Sequence, residues 1–247
     1  MALASGLAVA KPVVDSVNYR DGETKLQGYF VYDDAMKGRR PGVVIVHDWA
    51  GVKEYEVNRA KQLAALGYTA FVADIYGADV RPKNPKENAA NAGKYKGDRP
   101  LFQSRLKAAY DQLIARKETD KSRVGAMGYC FGGTGVLELA RTGVPLKGVV
   151  SFHGGLDIAD LGKAKCAFLI LHGDVDPFVP KKDIDNLMAM LDQRKLWHKL
   201  VRYPGAVHAF TVPTAGNDPS KGAAYHEEAD KKSFEEMRGF FKQVFGR

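Results

Sequence analysis

The sequence predicts an α/β fold with a doubly wound, mostly parallel sheet, and three observations support it. Apolar, β-branched runs recur along the chain, each short enough for a strand buried on both faces. Segments of helical period alternate with them. Strand–helix–strand units with right-handed crossovers then lay the strands parallel and cover both faces with helices.

The 247-residue chain is long enough for one sizeable core. A single domain is expected over 13–247, preceded at 1–12 by a disordered start or the remnant of a signal segment. "MALASGLAVA" ends in Ala8-Val9-Ala10, like an A-x-A cleavage site, yet no basic region precedes it. Two localisations follow: cytoplasmic, or exported to the periplasm if Met1 to Ala10 closes a signal peptide. Residues 13–19 and 26–32 read as an N-terminal antiparallel hairpin turning at Asp21-Gly22. Val43, Val44, Ile45 and Val46 form a strand buried on both faces. A helix over 55–66 stops at Gly67, and "YTAFVAD" is the next strand. Residues 77–100, polar and rich in Gly, Pro, Asn and Lys, read as a surface excursion with room for a short helix. Over 101–115, Phe102, Leu106, Ala109, Tyr110 and Leu113 fall on one face of a helix. "RVGAMGY" is a strand, 134–141 a helix, and "KGVVSFH" and "AFLILHG" are strands. A helix over 184–194, the strand "HKLVRYP" and a helix over 224–245 complete the chain.

Composition narrows the function. The net charge is +8, but Lys and Arg are scattered and form no basic run interleaved with aromatics, so no nucleic-acid partner is expected. No apolar run reaches bilayer length, so no membrane partner is expected either. Two cysteines, Cys130 and Cys166, are too few for a disulfide framework or a Cys-rich zinc site. Cys166 opens the apolar run "CAFLILH" and reads as a buried free thiol. No histidines have local metal-ligand spacing, so neither a metal nor a cofactor is expected. The expected partner is a small molecule, bound by a monomer or small homo-oligomer.

One motif carries chemistry. Gly128-Tyr129-Cys130-Phe131-Gly132 fits the nucleophile-elbow pattern G-x-S-x-G with Cys in place of Ser. A sharp strand-to-helix turn exposes the sulfur at a helix N-terminus, where the dipole favours negative charge. Flanking glycines let strand and helix pass closely. The Phe131 N–H points where a carbonyl oxygen becomes negative. In this topology an acid and then a histidine follow the nucleophile along the chain. "LILHGDVDPFVP" supplies Asp174 and Asp176, and "RYPGAVHAF" supplies His208. Pro177 and Pro180 stiffen the loop after Asp176, which favours Asp176 as the acid and leaves Asp174 as a loop-capping residue. In "HDWAGV", Trp49 is the expected second oxyanion N–H donor and Asp48 an acid close to the sulfur. His47 and His153 end strands near the site; His172 reads as structural, His198 and His226 as surface positions. His153, Tyr76 and Arg81 are candidates for the pocket wall. Two function classes compete: an ester or lactone hydrolase working through a cysteine thioester, and a binding or redox-responsive module with Cys130 as an oxidisable thiol.

"HDWAGVKEY", "ADIYG", "GYCFGG", "SFHGGL", "LHGDVDPFVP" and "YPGAVHAF", in this order, resemble the dienelactone hydrolase family of α/β hydrolases. The resemblance runs from about Val13 to the C-terminus. It implies the α/β-hydrolase fold, hydrolysis of a small ester or lactone, a Cys130–Asp176–His208 triad, and oxyanion donors at Trp49 and Phe131. It also implies a thiol-activating acid at position 48, usually Glu and here Asp48. Some similar family members carry signal peptides. Arginines bind the substrate carboxylate in the enzyme that names the family; here no Arg follows His208, and Arg81 lies only near the other position.

Overall fold

The computed structural model describes residues 12–246, so the expected start or signal remnant lies, but for Pro12, outside the described residues. Along β3 (Arg40–Val46) the apolar run does what its pattern demands: Val43 and Ile45 enter one core, Val44 and Val46 the other. Seven more strands complete the sheet: β1 (Pro12–Asp21), β2 (Thr24–Asp33), β4 (Thr69–Ala73), β5 (Thr119–Tyr129), β6 (Gly148–Phe152), β7 (Ala167–Gly173) and β8 (His198–Tyr203). Their order is β1-β2-β4-β3-β5-β6-β7-β8. β1 and β2 form the antiparallel hairpin, β2 pairs antiparallel with β4, and β3 to β8 are parallel.

Six helices flank the sheet: α1 (Glu54–Ala65), α2 (Pro85–Gly97), α3 (Arg99–Ala115), α4 (Phe131–Thr142), α5 (Lys181–Gln193) and α6 (Glu227–Val244). α1 and α6 cover one face through Leu63, Met237, Phe240 and Phe241. α3, α4 and α5 cover the other through Phe102, Leu106, Leu137 and Leu187. From β3 the chain steps to β4 on one side, then crosses to β5 on the other. The carboxyl ends of β3 and β5 therefore diverge into a crevice, the usual place for a ligand in such a sheet. No helix among the described residues is long and apolar enough to cross a membrane.

Several elements differ from the sequence expectation. The excursion at 77–100 holds the whole of α2, capped by Asn84 with Pro85 at its first turn. Only Ala92 and Tyr95 of that helix are buried, so it carries no apolar stripe to read. β5 starts at Thr119 because its polar first half pairs with Arg40 and Pro41 before a register shift. α5 starts at Lys181, directly after Pro180. α6 starts at Glu227 rather than at 224, because Ala223 and Ala224 run extended beside His208. His226, expected at the surface, is half-buried, and its Nδ1 caps α6 by accepting from the Ala229 N–H at 3.2 Å.

α4 begins at Phe131, not 134, in spite of Gly132 and Gly133 in its first turn. The glycines are there for contact. A Cβ on Gly132 would lie 2.2 Å from the Val46 carbonyl oxygen, and one on Gly128 would lie 2.0 Å from the Gly132 oxygen. Both obstacles are backbone and cannot swing aside. Gly132→Ala is therefore expected to cost more than about 4 kcal/mol or prevent folding. Gly93→Ala, in the open middle of α2, meets nothing within 4 Å and should stabilise by about 0.5–1 kcal/mol. Urea unfolding of the two variants against wild type measures both.

Candidate active site

Cys130 directly follows β5 and caps α4 with φ 52° and ψ −114°, a conformation that a non-glycine residue adopts only under constraint. Its N–H donates to the Phe152 carbonyl at 3.0 Å, and its carbonyl accepts from the Gly133 N–H at 2.9 Å. Between them these bonds hold the turn, and the partly exposed sulfur stands above the first turn of α4. As the first residue of that helix, Phe131 has an N–H with no intrahelical acceptor.

Two loops from distant parts of the chain meet the sulfur. His208 follows β8, and its Nε2 lies 3.0 Å from Cys130 Sγ. Its Nδ1 lies 2.8 Å from Asp176 Oδ2. The other carboxylate oxygen of Asp176 accepts from the Phe178 N–H at 2.8 Å, so both oxygens are held. Burial works against a charged His208, but the Cys130 sulfur and the Asp176 carboxylate outweigh it and raise its pKa to about 10. Asp174 has a different role from the loop cap expected: it faces Arg202 on β8 at 3.2 Å.

The loop after β3 is bound from below. His47 is fully buried, and burial lowers its pKa, so it is neutral. Its Nε2 accepts from the Ile75 N–H at 3.3 Å, which leaves the proton on Nδ1 to donate to the Asp48 carbonyl. Glu56 is fully buried beneath the same loop and accepts from the N–H groups of Lys53 at 2.9 Å and Asp48 at 3.4 Å. Burial, helped by the charge of Asp48, raises the Glu56 pKa to about 8. Burial also raises the Asp48 pKa, while its carboxylate accepts from the Ala50 N–H at 2.7 Å. The Trp49 carbonyl accepts from the Tyr76 hydroxyl at 3.0 Å.

Of the pocket-wall candidates, Tyr76 and His153 are buried beside the site and Arg81 is tied to its own loop. Tyr76 is buried under the loop, packed against both His47 and Phe131. Arg81 donates to the carbonyls of Gly77 and Val80 at 2.6 and 2.9 Å and faces Asp74 at 3.6 Å, so it fastens its own loop. His153 is fully buried behind His208, with ring centroids 5.3 Å apart and planes at 66°. Its Nε2 meets Thr211 Oγ1 at 2.8 Å, which in turn meets the Tyr55 hydroxyl at 2.7 Å. This polar chain went unseen in the sequence, as did Glu56. One signal for Glu56 was available: with Arg59 it places charge on the buried stripe of α1. Cys166 is free and buried, and burial raises its thiol to a pKa of about 12.

Fold and site together define an enzyme of the α/β-hydrolase class. The chain belongs to the dienelactone hydrolase family, whose model matches residues 26–245, and it is a hydrolase of esters or lactones. Among solved structures, a dienelactone hydrolase-like promiscuous phosphotriesterase from metagenomic libraries superposes with a TM-score of 0.90 at 36% identity. It covers 95% of this chain and 99% of that one. A probable 2-oxo-3-(5-oxofuran-2-ylidene)propanoate lactonase of Bradyrhizobium is 27% identical over 77% of this chain and 80% of its own. A putative carboxymethylenebutenolidase of Salmonella typhimurium is 27% identical over 90% of this chain and 84% of its own.

Because the sulfur is the largest cause raising the His208 pKa, Cys130→Ala is expected to lower it by more than about one unit. An NMR titration of the His208 ring in both proteins measures the shift.

Proposed function

We propose that residues 13–247 act as one domain that cleaves a small ester or lactone through a Cys130 thioester. The sulfur attacks the carbonyl carbon, and the N–H groups of Trp49 and Phe131 receive the oxygen as it becomes negative, an effect worth about 3 kcal/mol per donor. The tetrahedral adduct collapses with cleavage of the C–O bond. His208 Nε2 gives its proton to the departing oxygen, which leaves as the alcohol, or stays tethered if the substrate is a lactone. Water then attacks the thioester while His208 takes its proton. The second adduct expels the sulfur and frees the acid. Asp176 keeps the Nδ1 proton in place and balances the imidazolium throughout.

The observation that carries this reading is the line Sγ–Nε2 at 3.0 Å and Nδ1–Oδ2 at 2.8 Å, at the head of a helix. The lactonase and carboxymethylenebutenolidase among the relatives support a lactone or ester as substrate. A redox sensor has no use for a buried carboxylate behind the histidine, and the burial of Cys166 leaves Cys130 without a ready resolving partner.

Cys130→Ala is expected to lower kcat/KM for p-nitrophenyl acetate by about 1,000-fold or more. Acid-quenched wild type should carry an acetyl group on the Cys130 peptide, read by mass spectrometry. Cleavage that survives the substitution refutes the thioester. The pH profile offers a second check. His208 has a raised pKa, so its proton is held through neutrality and lost as pH rises through about 10. Activity limited by protonation of the leaving oxygen should fall on that alkaline limb.

A further inference from the structure

The surroundings of the sulfur are poor in available positive charge. Arg81 is held by two carbonyls and by Asp74. Lys53 is exposed, and its ammonium donates to the Pro82 carbonyl at 3.4 Å. His208 is already engaged by Asp176 and the Cys130 sulfur, and Ala209 follows it. The Asp48 carboxyl group is close at hand, with the buried Glu56 beneath its loop. Burial raises the pKa of both acids, so the interior beneath this loop disfavours negative charge. A substrate carboxylate beside this loop would be set against the Asp48 carboxyl group rather than a free cation.

What the site does expose is apolar. Phe178 is 59% exposed and Trp49 39% exposed. The Phe178 ring stands edge-on to His208, with centroids 5.4 Å apart and planes at 87°. It is anchored on two sides. Its N–H donates to Asp176, and its ring edge lies 3.1 Å from where a Cβ on Gly222 would be. Trp49 belongs to the loop on the other side of the sulfur, with its backbone tied to Tyr76. A fixed, uncovered ring beside His208 and an exposed indole on the loop after β3 gain by being covered with apolar surface.

We propose that the site selects neutral esters with an apolar group flanking the scissile bond, that Phe178 and Trp49 contact this group, and that esters bearing a carboxylate beside the bond are rejected. The inference rests on the thioester reading and adds the substrate class to it. Two matched pairs test it: phenyl hexanoate against phenyl hydrogen glutarate on the acyl side, and phenyl acetate against 4-carboxyphenyl acetate on the alcohol side. In both pairs kcat/KM should favour the neutral ester by about tenfold or more. Phe178→Ala should narrow the ratio through a higher KM in the pair whose group meets the ring, and Phe178→Leu should restore most of it. Equal or faster cleavage of the anionic ester in either pair overturns the proposal, as does Phe178→Ala leaving both ratios unchanged. Wild type alone decides the first point, so a variant that fails to fold does not protect the idea. Cys130→Ala separates the two claims. If it cleaves these esters like wild type, the thioester reading falls. If cleavage needs Cys130 yet prefers the anion, only the substrate class falls.

Discussion

Everything at the site depends on a backbone contact between the end of β3 and the first turn of α4. Gly132 sits against the Val46 carbonyl so closely that no side chain fits between them. That contact sets the height of Cys130 above the sheet and brings the loop after β3 alongside it. Gly133 makes a similar approach on the other flank, where a Cβ would lie 2.6 Å from the Gly154 Cα. The sulfur is thus located by main chain on both sides. Helix propensity is sacrificed in the first turn of α4, and packing of Val136, Leu137 and Leu139 further along holds the helix regardless.

A second layer of constraint fixes the loop at 47–53, and it is made of buried polar groups. His47 ties the loop to the end of β4, Glu56 ties it to the start of α1, and Tyr76 ties it from beneath. Such groups are costly to bury unless every bond is made. A loop with so many obligatory partners has few alternative conformations, which suits the proposed role of the Trp49 N–H as an oxyanion donor. Asp48 lies in the middle of this layer. One oxygen of its carboxyl group is engaged by the Ala50 N–H, a bond that shapes the loop.

The sequence was legible where local chemistry repeats. Buried strands announce themselves as apolar runs, and the elbow glycines and the order Cys130, Asp176, His208 follow from topology. The choice of Asp176 over Asp174 rested on the prolines behind it, and the structure brings Asp176 to His208 while Asp174 pairs with Arg202. What was illegible depended on partners far along the chain. α2 hides because it buries only Ala92 and Tyr95. The fastening of Arg81 depends on Asp74 and on its own loop's carbonyls, and the place of His153 depends on Thr211, 58 residues away. No window of residues contains those facts.

Strain marks the site independently of any motif. Four described non-glycine residues have positive φ, and three of them are here: Cys130, His153 at 40°, and Ala209 at 58°. Each costs on the order of 1–3 kcal/mol and persists only where its surroundings over-determine it. The surroundings are strand ends. The Cys130 N–H bonds the Phe152 carbonyl, the His153 N–H bonds the Leu171 carbonyl, and His208 pairs through its own N–H and carbonyl with the extended segment at 222–224. Strand ends of the sheet thereby hold the first two bent backbones, and the 222–224 segment holds the residue before the third. Relaxing any one would turn a side chain of the Cys130–His208 pair, or the imidazole packed behind it, away from the others. Rigidity at this edge is therefore what converts three distant stretches of sequence into one arrangement of sulfur, imidazole and carboxylate.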